Sequence, residues 1–175
     1  MYNNLRRFLG LLFAIAIVYF GVQSEKTLYL GIVPIFFGEI LRIWSAGYIR
    51  KNKILSLVGP YQYVRNPLYL GSFLIGVGFG IFIGNFVMLA LIVVIFLIIY
   101  TLKINSEEKK LTEIFGEKYL NYKKNVGRWI PRLKPYGNEQ GKFDMKLAIF
   151  KNKEYNAILG CLGMIFLILF LRTVM

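Results

Sequence analysis

The stretch Gly59-Pro-Tyr-Gln-Tyr-Val-Arg65-Asn66-Pro67-Leu-Tyr-Leu-Gly71 lies between two long apolar runs, and the rest of the chain is read outward from it. Asn66 suits a helix N-cap. Pro67 suits the first helical position, where a missing N–H costs nothing. The apolar run from Leu68 onward is therefore expected to be a helix. A helix start offers unpaired N–H groups and a partial positive charge, which together favour an anion. Arg65 beside it adds a permanent cation with a two-pronged guanidinium. Tyr61, Tyr63 and Tyr69 add aromatic faces against which an organic cation can lie. One short segment can thus hold both ends of a zwitterion. The same residues also suit a cap at a membrane surface, with interfacial tyrosines and a snorkelling arginine.

The chain has 175 residues, of which 57% are hydrophobic. They are gathered into runs that approach or reach the roughly 20 residues a bilayer span requires. This is the pattern of an integral membrane protein. Spans are expected at 8–22, 28–49, 68–83, 86–104 and 156–172. The fold class is all-α, a polytopic bundle of about five transmembrane helices. The membrane core covers 1–135, a basic linker covers 136–155, and the C-terminal span follows. Gly84-Asn85 reads as a tight turn that makes a helical hairpin of the third and fourth spans.

The net charge is +13. A nucleic-acid partner is set aside, because the basic residues sit mostly in the loops between spans, where they meet anionic lipid headgroups. Arg6 and Arg7, the 50–65 group and the lysines after Lys103 all fall on one side. The 23–27 loop and the Gly84-Asn85 turn carry little positive charge. This gives a multi-pass protein with its N-terminus and long loops in the cytoplasm. Cys161 is the only cysteine, so no internal disulfide forms, and its apolar setting suggests a buried small hydrophobe. The absence of histidine excludes histidine metal sites, Ser-His-Asp triads and histidine bases. No metal is expected.

Within the second span, Glu39 and Arg42 are three apart on one helical face. Charges at that depth are costly and usually face a bundle interior. They form either the polar wall of a ligand site or an intrahelical pair near the headgroups. Gly76-Val-Gly78-Phe-Gly80 looks like a nucleotide-binding glycine loop. That loop needs a strand before it and an α/β domain around it, and here it lies inside an apolar span. After the fourth span, Leu111, Ile114, Phe115, Tyr119 and Tyr122 recur at helical spacing among charges. This predicts amphipathic cytoplasmic helices over 105–125, lying at the membrane surface. Glu107 and Glu108 fall at their start, where glutamates commonly stabilise a helix N-terminus. Trp129 reads as an interfacial anchor. Arg128 is either a ligand for phosphate or carboxylate, or one more surface charge.

Two blocks together resemble the isoprenylcysteine carboxyl methyltransferase and phospholipid methyltransferase superfamily. The first is the 59–71 stretch. The second is Glu107-Glu108, Phe115-Gly116-Glu117, Tyr119, Tyr122, Val126 and Ile130-Pro131. The resemblance implies a membrane-embedded methyltransferase that uses S-adenosyl-L-methionine, held on the cytoplasmic side between the blocks. It implies cofactor binding by Tyr61, Tyr63, Arg65, Asn66, Pro67, Tyr69, Leu70, Gly71, Glu107 and Glu108. It implies Arg128 and Glu108 as catalytic residues, and Glu39, Arg42, Tyr119, Tyr122 and Arg128 around a lipophilic or prenylated acceptor arriving from the membrane lipids. The activity it implies is most like isoprenylcysteine carboxyl O-methylation. The alternatives are N-methylation of a phospholipid amine, or a non-catalytic membrane protein that keeps the fold. Asn66 stands where the family usually has histidine. Asparagine can hydrogen-bond but cannot titrate, so a proton-acceptor role at that position is lost.

Overall fold

The computed structural model of the protein describes residues 2–23, 29–50 and 54–174. Most of the loop expected at 23–27, Lys51, Lys53 and the side chains of Arg6 and Arg7 lie outside that description. The described chain is helical, with no strand. Its helices are α1 (Tyr2–Gln23), α2 (Ile32–Ala46), α3 (Pro67–Ile83), α4 (Phe86–Asn125) and α5 (Tyr155–Val174). Three are long and apolar enough to cross a membrane: α2 together with the short turn before it (Tyr29–Ala46), α4 and α5. The 17 apolar residues of α3 sit at the short limit of what a span needs, about 17–25 residues.

Helices α2 and α3 form the tightest pair, and the reason lies in their glycines. A Cβ on Gly31 or Gly38 would collide with α3 main chain at Gly78 and Gly71, and a Cβ on those would collide with α2 in return. Small residues two turns apart on both helices let the backbones meet, which in lipid supplies much of the packing. The α3–α4 hairpin turns where the sequence placed it. Gly84 takes φ 73°, and the Asn85 carboxamide accepts from the Val87 and Met88 N–H groups. That caps α4 in the manner asparagine favours.

The apolar span and the charged segment after it are one helix. No break occurs near residue 105, and α4 runs 40 residues, interrupted only at Gly116 (φ 51°, ψ −131°). Residues 105–115 contain neither glycine nor proline and hold three glutamates and two lysines, good helix formers, so nothing stops the helix. Glu107 and Glu108 are therefore mid-helix, and stabilisation of a helix start does not explain them.

Past α4 the chain folds back over the loop end of the bundle. Leu55, Leu57, Tyr119, Tyr122 and Val126 bury one another there. The segment expected as a linker is fastened to this end. Tyr136 N–H donates to Gln62 O (3.0 Å), and Asp144 N–H donates to Gly47 O (3.2 Å). Asn152 Nδ2 donates to the Ala46 and Ile49 carbonyls, at 2.8 and 3.1 Å, closing off the end of α2. A wide turn, Leu147–Lys151, then leads into α5. At the far end Ile17 of α1 and Ile168 of α5 join Ile35, Phe79, Phe82 and Ile83 in a second core.

Candidate active site

Two loop segments meet above α3. Arg65 N–H donates to Gly127 O, and Arg132 N–H donates to Tyr63 O, each at 2.9 Å. Asn66 holds the N-cap position of α3, but its side chain caps nothing. Its Nδ2 instead donates to Arg128 O at 3.3 Å. Pro67 takes the first turn as the sequence implies. These bonds bring the 59–66 loop and the 126–132 loop together over the middle of α4.

At their junction Glu108 is 4% exposed and carries three cations. Arg128 Nη2 lies 2.9 Å from its Oε2, Lys123 Nζ 3.3 Å from the same oxygen, and Arg65 Nη1 3.3 Å from Oε1. A buried carboxylate must be paired, and here it is outnumbered, so the cluster keeps surplus positive charge. Tyr119 is buried behind the cluster, and burial pushes its phenol up to about 12. Tyr122 Oη donates to Tyr61 O at 2.7 Å. Burial raises the phenols of Tyr61 and Tyr122 well above the ordinary range, so both stay neutral.

One residue earlier on α4, Glu107 is more open. Its Oε1 accepts from Tyr69 Oη at 2.8 Å and lies 3.2 Å from Lys103 Nζ. The Tyr69 ring meets Tyr100 edge-on at 5.0 Å, and Tyr100 stacks on Phe96 at 3.9 Å. This aromatic run leads from the charged cluster into a cavity of about 510 Å³ between the helices, lined in part by Tyr100 and Phe96. Glu39 and Arg42 also line it. They do not form the intrahelical pair. Arg42 Nη1 donates to Ser72 Oγ at 2.5 Å and Nη2 pairs with Glu154 Oε2 at 2.8 Å. Cys161 Sγ donates to Glu39 Oε1 at 3.1 Å, so the cysteine serves as a polar contact rather than a plain hydrophobe.

The structure gathers Arg65, Asn66, Tyr69, Glu107, Glu108, Tyr119 and Arg128 at one junction. It puts Tyr63 and Leu70 in a separate small crevice with Trp44 and Pro131. Gly71 lies in the α2–α3 seam against Arg42. Tyr61, Pro67 and Tyr122 are buried as supports. Sequence reasoning passed over Lys103, Tyr100, Lys123 and Glu154 as site residues, and read Cys161 only as a buried small hydrophobe. Only the Lys103–Glu107 spacing of four carried a readable signal.

Comparison with known proteins follows from this geometry. The phospholipid methyltransferase family matches residues 5–118, about two thirds of the chain. The chain belongs to the phospholipid methyltransferase family. It is 31% identical over 118 residues to the cobalt-zinc-cadmium resistance protein CzcN of Cupriavidus metallidurans, covering 66% of this chain and 54% of that one. It is 36% identical over 81 residues to the protein-S-isoprenylcysteine O-methyltransferase of Schizosaccharomyces pombe, covering 46% of this chain and 34% of that one. It is 40% identical over 74 residues to the methanethiol S-methyltransferase of Pseudomonas deceptionensis, covering 42% and 27%. The chain thus spans about half the length, or less, of these curated relatives. No solved structure matches. The family match takes in α1 to α3 and most of α4, and it ends before Lys123, Arg128, Glu154 and α5.

Proposed function

We propose that the protein transfers a methyl group from S-adenosyl-L-methionine to a lipophilic acceptor drawn from the bilayer, most like isoprenylcysteine carboxyl O-methylation. The observation that carries this is the cluster on Glu108, its surplus cations lying beside the open Glu107 and the aromatic run into the membrane cavity. The cofactor pairs a carboxylate with an ammonium and a sulfonium, and the residues fit that set. Arg128 and Lys123, both partly exposed, offer donors to the carboxylate. Glu107 accepts from the ammonium or the ribose hydroxyls. Tyr69 and Tyr100 present rings to the sulfonium.

When bound, the cofactor supplies a methyl group activated by its positive sulfur. The protein's part is positioning and exclusion of water, for which in-line displacement asks more than for acids or bases. Glu108 contributes by fixing the three cations. Its Oε2 is held by Arg128 and Lys123 and the side chain is buried, whereas Glu107 is open, so Glu107 rather than Glu108 is the carboxylate that meets ligand. A carboxylate acceptor arrives already deprotonated, so Asn66 in place of histidine is no obstacle to it. Glu39 and Arg42 form the polar wall of the cavity that takes the acceptor's apolar part. The similarity to isoprenylcysteine methyltransferases supports this acceptor, and the family description supports the alternative, a phospholipid amine.

Purified protein in lipid nanodiscs, given S-adenosyl-L-methionine labelled in its methyl group, tests the reading. Label is expected in N-acetyl-S-farnesylcysteine. Label appearing only in ethanolamine lipid moves the acceptor to the amine, and label in neither overturns the reading.

A further inference from the structure

The membrane cavity is completed by a helix that the family match does not include. One face of α5 lines it through Ala157, Gly160, Cys161 and Met164, spaced three, four and seven apart. The face opposite is α4, through Ile92, Ile95, Phe96 and Ile99. Two long-range contacts seat α5 there, Arg42 with Glu154 and Cys161 with Glu39. Its polar residues, Arg42, Ser72, Tyr100 and Asn156, lie toward the loop end. Beyond Glu39 the walls are apolar, down to Ile17, Phe79 and Met164. The volume, about 510 Å³, is that of a site for one small ligand, within the roughly 300–1,000 Å³ such sites take.

The two glycines on the wall differ. A Cβ on Gly76 of α3 would stand 3.2 Å from Ile92, so that side is already full. A Cβ on Gly160 would meet nothing within 4 Å. Gly160 sits one turn in from Asn156 and one turn short of Met164, midway along the helix face that lines the cavity. Gly160 is itself exposed, at the open edge of the cavity wall, so a side chain there projects into free space beside the route to the far end.

We infer that α5 forms the chain-binding wall of the acceptor cavity, and that Gly160 sets how long an apolar chain the cavity admits. The inference rests on the methyl-transfer reading for the word acceptor, but the binding site itself does not depend on it. The occupant is the single apolar chain of an amphiphile, its head toward Arg42 and the charged cluster and its end beside Met164 and Ile92.

The test separates binding from transfer. Photolabelling uses N-acetyl-S-farnesylcysteine and N-acetyl-S-geranylcysteine, each with a diazirine at the chain end, on full-length protein in nanodiscs. Labelled residues are mapped by mass spectrometry. Wild type is expected to take the farnesyl label near Met164, Ile92 or Ile17. Gly160→Leu introduces a better helix former, so the helix is kept. It is expected to lose at least tenfold of the far-end farnesyl label while keeping geranyl label and S-adenosyl-L-methionine affinity unchanged. Met164→Ala, which enlarges the far end, should restore farnesyl labelling in part when combined with it. Farnesyl label that lands only on the lipid-facing Phe166 and Phe170, or that is indifferent to Gly160→Leu, overturns the inference. Cavity labelling as expected without any methyl transfer leaves the site standing and removes the transferase reading alone.

Discussion

Arg42 and Glu154 are 112 residues apart in sequence and 2.8 Å apart in space. This pair ties α2 to the turn that launches α5, with Glu154 6% exposed and Arg42 21%. Asn152 alongside it closes the end of α2. The last helix is thus placed by the polar segment before it as much as by its own apolar face.

Glu154→Gln should leave Arg42 without its ionic partner and lower stability by about 3 kcal/mol, the order expected when one side of a buried pair is removed. Thermal unfolding in detergent checks this. Arg42→Met with Glu154→Gln should recover much of the loss, because no unpaired charge remains.

Glu107 and Glu108 are neighbours with different tasks, and their variants should separate accordingly. Glu108→Gln frees three cations to repel one another in a buried setting. Stability should fall by about 3–5 kcal/mol, as for a broken buried charge cluster. Glu107→Gln should change stability by less than about 0.5 kcal/mol, as at an exposed site, while S-adenosyl-L-methionine affinity falls about tenfold, near the 1.5 kcal/mol of a charged hydrogen bond. Calorimetry and melting curves on the two proteins give both readings. If Glu108→Gln is stable and Glu107→Gln binds normally, the assignment of tasks is reversed.

Much of this was legible in the sequence, and the parts that were not have physical causes. Asn66 and Pro67 mark the start of α3, and Gly84-Asn85 marks the hairpin, because caps and turns are written in adjacent residues. The pairing of the 59–71 stretch with the 107–131 stretch was implied by the family resemblance alone, and the structure brings Arg65, Glu108 and Arg128 together. The continuity of α4 through residue 105 was missed because polarity changes there while helix propensity does not. Arg42–Glu154, Cys161–Glu39 and Asn152 on α2 were beyond reach, since no local pattern records a contact across more than 100 residues. Residues 136–155 read as a linker because their anchoring groups are isolated polar side chains without periodicity.

Gly116 takes φ 51° and ψ −131° with nothing near its missing Cβ, so the strain of a substitution there is purely backbone. Gly116→Ala should cost about 1–3 kcal/mol. It should also shift Tyr119 and Tyr122 off the 59–66 loop. Melting temperature and protease sensitivity of that loop report the two effects.

Tyr119 gives a pH signature. Its folded phenol is pushed up to about 12 by burial, against 10.0 for an ordinary tyrosine. A group whose folded pKa is raised contributes stability that is fully present below the unfolded value and is lost as pH rises toward the folded one. Stability should therefore be flat in this term below pH 10 and fall between pH 10 and 12. Stability of Tyr119→Phe should fall less steeply above pH 10. Equal alkaline slopes in the two proteins contradict the burial of this phenol.

The central claim is that the junction of Arg65, Glu107, Glu108 and Arg128 holds S-adenosyl-L-methionine. Calorimetric titration of the nanodisc-embedded protein with S-adenosyl-L-methionine, and then with S-adenosyl-L-homocysteine, tests it most directly. Saturable one-site binding of both is predicted, weakened about tenfold by Arg128→Gln, near the 1.5 kcal/mol of a charged hydrogen bond. Folded protein that binds neither, or binds both with Arg128→Gln unchanged, contradicts it.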